Sequence, residues 1–557
     1  MTTCPPSLKR LLSSSKSGLC LIATGLALTL GSGGLQAATF TWISDGTSTG
    51  GSGWLNKDNW QNNVAIAQDS DLVFPAGTSP VSVNDRANVR IQSITFQTGA
   101  APFTLSGDRI ISSGSEIYNA GSNTHTFDLG ITFRNATGAI NTGTNGGNFV
   151  FNGKLERTDV SGNPVSGYVT LNLTGTGMVT VTNTSNERIH WSVLAGTLKA
   201  APGALSGGNV TLKRSGSNGA TLLLEGGSAH TVSSLTVGAS STISGTAALV
   251  VSGAFGGDAN NDLIKTVFFT NTAGATLNDI NLNPSNRGGG MSISTVTSDV
   301  KVEVNGTIRN SETDGPGENE KLTKSGAGVL VVRGANTWSG GTTVSAGTML
   351  VENTTGSGLG SGAVEVLAGA RLGGHGIIEL GDGETVSVEN GGTLAPGAAG
   401  LALATLQLSG VNHTSSALLD MEAGSAFNFR FGAGDLSDGV AFSSYHSGGL
   451  ALDIGGITVH GTDVQAGSFT LFTFDSITET ELELLQGRLV LGSGFENYDA
   501  SFVTQFQGEG GSIGLAVIPE PGASLLGLIG FVTAAGIFRR RRKSARKGEA
   551  VQEAVKK

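Results

Sequence analysis

The chain has 557 residues, enough for several domains or one long solenoid. Glycine supplies 87 residues and charged side chains only 14%; the absence of a Gly-X-Y period excludes collagen, and the recurring Val, Ile, Leu and Phe exclude a disordered chain. The formal charge is −10, and setting aside Lys9, Arg10, Lys16 and the residues after Phe538 leaves 21 basic against 41 acidic residues, a body that repels nucleic acid phosphates.

Residues 1–38 read as a secretory signal peptide. Lys9-Arg10 and Lys16 are the basic start, Leu19–Leu30 is apolar, and Leu35-Gln36-Ala37-Ala38 offers small residues for cleavage. The two cysteines, Cys4 and Cys20, both precede that point, so the mature chain is expected to carry no thiol or disulfide chemistry. Leu19 stands where a lipoprotein signal needs a small residue, which rejects a lipid anchor at Cys20. Residues 39–80 are expected to form an N-terminal cap. Trp42, Trp54 and Trp60 fall here, three of the five tryptophans, and can be read as a carbohydrate platform or as filling for the open end of a solenoid; the second reading is preferred. Asp69 and Asp71 form a D-x-D pair, weak evidence for calcium. Gly46–Gly50 spells G-x-S-x-G but lacks the strand and helix that a nucleophile elbow requires.

Residues 81–400 repeat a texture of short apolar runs and glycine corners. VRIQSITF, YVTLNLTG, GMVTVTN, NVTLKR, ATLLLEG, SSLTVGA and AALVVSG are strand-like. The pattern is sharpest from Lys321 to Gly400, where Val329–Val332, Thr342–Val344, Met349–Val351, Ala363–Val366, Ile377–Leu380 and Thr385–Val388 are predicted strands. They are too short for helices and rich in branched residues that suit a pleated surface. Strands that turn this often predict coils stacked in a solenoid. A diverged echo places Val193–Leu198 and Ala204–Val210 beside Val344–Met349 and Gly358–Val364, with a slip of three residues. At ~20–25 residues per coil, about 20 coils and a rod of ~95 Å are expected; a shorter rod with a separate end domain is equally compatible.

One unit carries a family resemblance. Lys324-Ser-Gly-Ala-Gly328, followed by Gly334-Ala-Asn-Thr-Trp-Ser-Gly-Gly-Thr-Thr-Val-Ser-Ala-Gly-Thr348, resembles the autotransporter-associated β-strand repeat. Trp338 departs mildly from the more usual Tyr. The resemblance implies an all-β, right-handed parallel β-helix of the kind found on secreted bacterial passenger proteins.

Beyond Gly400 the runs FNFRFG, GLALDIGGITVHG and GSFTLFTFDS are longer and richer in Phe, so 401–516 is expected to be a β-rich end domain or irregular terminal coils. Residues 517–543 hold Pro519-Glu520-Pro521, an apolar run to Phe538, and Arg539, Arg540, Arg541 and Arg542 before Lys543. As a helix, Pro521–Phe538 would reach ~27 Å, just enough to cross a bilayer, with the arginines stopping it on the cytoplasmic side and 544–557 as a basic cytoplasmic tail. This tripartite end resembles the PEP-CTERM sorting signal. That resemblance implies recognition by an exosortase-type enzyme, removal of the tail after an inner-membrane intermediate, and export to the surface or extracellular matrix of an exopolysaccharide-producing bacterium. No terminal series of alternating ten-residue strands points to a membrane barrel.

No catalytic, cofactor-binding or metal residue is assigned. The seven histidines lack zinc-ligand spacing, His375 reads as a turn residue, and the Asp382/Glu384 and Asp435/Asp438 pairs read as solvated loop carboxylates. The expected function is a non-enzymatic surface or matrix protein for structure or adhesion, with exopolysaccharide as a partner. A polysaccharide lyase or glycosidase on the same scaffold is the alternative, and a structural layer protein without a specific ligand a third reading.

Overall fold

The computed structural model describes residues 37–46, 51–159, 163, 165–205, 207–213, 219–238, 240–257, 264–282, 289–310, 319–397, 402–410, 417–443, 450–452, 456–508 and 510–519. Strands and turns make up nearly all of it. Val329–Val332, Thr342–Val344 and Ile377–Leu380 fall on the predicted bounds, and Thr348–Val351, Val364–Val366 and Val386–Val388 lie within one residue of them.

Three long parallel sheets form the body. One of 14 strands runs from Thr39–Thr41 to Ile308–Arg309, one of 16 from Val81–Asn84 to Leu450–Leu452, and one of 12 from His230–Val232 to Leu489–Leu491. Consecutive strands of a coil enter different sheets, and each strand pairs with its counterparts one coil earlier and one coil later. This is the stacked-coil solenoid expected from the short strands. The 16-stranded sheet alone spans about 72 Å at ~4.8 Å per step, and the other two long sheets extend the stack by one strand at each end, so the rod comes close to the sequence estimate and is somewhat shorter. The reason is uneven coil length. A position recurs after 22 residues from Val344 to Val366 and again at Val388, but only after 33 at Met421.

Alternation of side chains along a strand puts every second residue inside. Thr348–Val351 alternates half-exposed and buried, and Met349 and Val351 are fully buried. Parallel register then stacks like positions into ladders. Val302, Leu330, Met349, Leu372, Leu394, Phe427 and Val459 follow one another along one face. Each such side chain stabilises the fold by roughly 1.5–3 kcal/mol relative to exposure. This ladder crosses residue 400 without a change of sheet.

The far end differs. A six-stranded sheet begins with Ile377–Leu380 and continues in parallel through Gly467–Phe474. It ends in an antiparallel hairpin of Tyr498–Gln507 and Gly510–Pro519. The helix Glu479–Gln486, opened by a capping box between Thr478 and Glu481, turns Leu482 and Leu485 into the end of the core. Pro519 is the last described residue and pairs with Tyr498. The remainder of the sorting motif, the apolar run and Arg539–Arg542 lie outside the described residues, as do residues 1–36 of the signal peptide. Among the described residues no helix is long and apolar enough to cross a membrane.

Candidate functional site

The coil that drew attention in the sequence has a specific internal construction. Strand Lys321–Ser325 alternates, so Leu322 and Lys324 both point inward. Lys324 occupies a rung in an apolar ladder, between Ile293 on one coil and Val344 on the next, and is fully buried. A buried ammonium requires compensation. Here Nζ donates to the carbonyls of Ser325 at 2.8 Å, Gly326 at 2.8 Å and Ala346 at 2.9 Å. The third carbonyl belongs to the following coil, so the lysine ties two corners together. Burial lowers its pKa to about 8. Gly347, with φ +67°, makes the corner that presents Ala346.

Asn336 performs the same task on the other side. Its Oδ1 accepts from Ile308 N at 2.7 Å, one coil back, and its Nδ2 donates to Gly358 O at 2.6 Å, one coil forward. Trp338 is fully buried and donates Nε1–H to Gly341 O at 3.0 Å. The sequence echo has its own bridge: Asn186 accepts from Leu155 N at 2.8 Å and donates to Ala204 O at 2.9 Å. The repeat residues Lys324, Asn336 and Trp338 are therefore built into the stack and face inward.

The other sequence candidates are placed as follows. Trp42, Trp54 and Trp60 are all fully buried, which removes the carbohydrate-platform reading. Trp60 sits edge-on to Trp42 at 5.1 Å and to Trp54 at 6.2 Å, and the three indole N–H groups donate to Ser79 O, Ser82 Oγ and Trp54 O. Asp69 is occupied by the guanidinium of Arg90 at 2.7 Å and by Ser113 at 2.6 Å, and the Arg90 hydrogen bonds hold its carboxyl below the usual range. Asp71 accepts from Ser93 at 2.6 Å. Asp438 is buried against Arg430 at 2.7 Å, whereas Asp435 accepts from Ser468 N, so the two do not form a pair across a groove. Asp382 is exposed and Glu384 half-exposed on a turn. His375 lies in the turn between Arg371–Gly374 and Ile377–Leu380. His125, fully buried, stacks on Phe96 at 3.8 Å and accepts from Phe103 N; burial pushes its pKa down to about 4, so it is a neutral core residue. His413, His446 and most of the G-x-S-x-G letters fall outside the described residues. Among the described residues no group of three or more His, Cys, Asp or Glu could hold a metal ion.

Sequence reading missed two features. Lys324 could have been found by parity, since it shares its strand face with Leu322. The stacking of Tyr168, just before the strand Val169–Thr174, on His190 of the neighbouring strand had no local signal because 22 residues separate them.

The passenger-associated-transport-repeat family matches residues 322–351, the segment that contains Lys324, Asn336 and Trp338. No curated protein matches the chain. The repeat is associated with autotransporter passengers, and it points to a surface or secreted β-helical protein.

Proposed function

We propose that the chain is an exported rod of the cell surface or extracellular matrix, with a structural or adhesive role and an exosortase-type system as its sorter. The observation that carries this reading is the repeat of 322–351, lying within an uninterrupted parallel stack. The expected right-handed wind agrees with the strong preference of parallel crossovers for that hand. The sorting role of Pro519, Glu520 and Pro521 rests on the tripartite sequence of the C-terminal end. Pro519, the first residue of the motif, ends the strand Gly510–Pro519 and pairs with Tyr498. In this scheme Arg539–Arg542 hold the tail at the inner membrane until cleavage. The rod then joins the surface or matrix, where exopolysaccharide is its partner. The function is retention rather than turnover: the described carboxylates proposed for glycoside cleavage are bonded within the protein or dispersed on turns.

Fractionation of a producing strain tests the assignment. The native chain is expected in the surface or matrix fraction in a form shortened at its C-terminus, and a Glu520→Ala chain is expected to accumulate unshortened in the membrane. A native chain that stays full-length in the cytosol would refute the reading.

A further inference from the structure

The lateral face of the 14-stranded sheet carries an aromatic stack. Tyr168 enters the strand Val169–Thr174, and His190 lies on the neighbouring strand Ile189–Val193, opposite Thr170. Their rings are parallel, with centroids 3.9 Å apart and planes 7° apart. Tyr168 is 42% exposed although one ring face rests on the imidazole, so its other face is open. The imidazole is fixed by Asn209 N–H, which donates to Nδ1 at 2.9 Å.

Two arginines adjoin the stack through the backbone at Tyr168 and Val169. Glu156 pairs with Glu187 across adjacent coils, which sets Arg157 next to Arg188. Arg157 Nη1 donates to Tyr168 O at 2.6 Å, and Val169 N donates to Arg188 O at 2.9 Å, so both residues are anchored at the foot of the tyrosine. Arg157 Nε and Arg188 Nη1 are buried and have no partner among the described residues, so any contact with a ligand falls to the other nitrogens of these groups. The nearby carboxylates are engaged elsewhere: Glu156 with Lys154 and Arg109, Glu187 with Lys154, and Asp159 with Asn163. Arg188 also holds a φ of +60°, a strained backbone for a residue with a side chain. Thr170, Asn172 and Thr211 continue the same outer face as half-exposed polar positions.

We propose that Tyr168 and His190, flanked by Arg157 and Arg188, form a binding platform for an acidic polysaccharide. A sugar ring lies on the open face of Tyr168, as an apolar C–H surface does on an aromatic ring. Its carboxylate meets the guanidinium pair, which suits planar anions. The hydroxyl and amide row beyond receives the next sugar. This inference deepens the polysaccharide partnership proposed above and rests on it.

The test is affinity electrophoresis of the purified full chain in gels containing polygalacturonate or neutral dextran. Polygalacturonate is expected to retard the native chain and dextran to leave it unretarded. Tyr168→Ala should weaken the polygalacturonate interaction about tenfold with the circular dichroism spectrum intact, Tyr168→Trp should retain it, and Arg188→Ala should weaken it while reducing its salt dependence. Native-like retardation of Tyr168→Ala, or retardation by dextran as strong as by polygalacturonate, would overturn the platform. Either result would leave the surface assignment standing, because that assignment is judged by fractionation of Glu520→Ala.

Discussion

Lys324 shows how a charged residue is accommodated within an apolar ladder. Its three carbonyl partners all come from glycine-containing corners, and two coils contribute them. Lys324→Met fits the apolar ladder but leaves those carbonyls without a donor. The expected outcome is a loss of about 2 kcal/mol in chemical denaturation; a gain in stability would mean that burying the charge costs more than its hydrogen bonds return. His125 gives a pH signature. Its folded pKa of about 4 lies below the ordinary 6.5, so the unfolded chain takes up the proton first as pH falls. The stability from the neutral ring is therefore full above pH 6.5 and is lost between pH 6.5 and about 4, by up to roughly 3 kcal/mol. Thermal unfolding across that window should show the loss, and His125→Phe should flatten it.

At the scale of the coil, asparagine does what a short strand cannot. Strands of three or four residues have few ladder hydrogen bonds, and the corners between them leave backbone groups unpaired. Asn336 and Asn186 each satisfy a donor on the preceding coil and an acceptor on the following one. Asn336→Ala strands Ile308 N–H and Gly358 C=O in the interior, and a cost of about 2–4 kcal/mol is expected by denaturant titration. Gly360 is fixed by a neighbouring coil: a Cβ there would lie 2.1 Å from Trp338 O, and its φ is +71°. At the first coil, Trp60→Ala is expected to cost about 3–5 kcal/mol. Solenoid stability is a sum of neighbouring contacts, so hydrogen exchange should rise in Thr39–Thr41 and Ser70–Phe74 and stay unchanged in Thr342–Val344. A uniform rise along the chain would show that the rod unfolds as one unit.

For the whole molecule, the two ends and the sides play different parts. Tryptophans close the start, a helix and an antiparallel hairpin close the finish, and the sheet faces between them carry polar and charged rows such as Glu303, Arg333 and Glu352. The platform proposed at Tyr168 and His190 lies on one of these lateral faces. Small-angle scattering of the full chain should give an elongated particle whose long dimension is set by a stack of about 72 Å plus the terminal structures; a compact sphere would contradict the stack.

Strand identity was legible in the sequence because it depends on local alternation and on glycine corners, as the close agreement at Val329–Val332 and Thr342–Val344 illustrates. The repeat was legible because Asn336, Gly340-Gly341 and Ala346-Gly347-Thr348 stand at set spacings within one short segment. The roles of those residues were not, since the bonds that join one coil to the next reach 22 to 28 positions along the chain. The length of each coil was not legible, because loop residues are indistinguishable from coil residues in a glycine-rich text. Whether an aromatic faces inward or outward, as with Trp54 against Tyr168, depends on the register between coils, and the tertiary structure alone decided it.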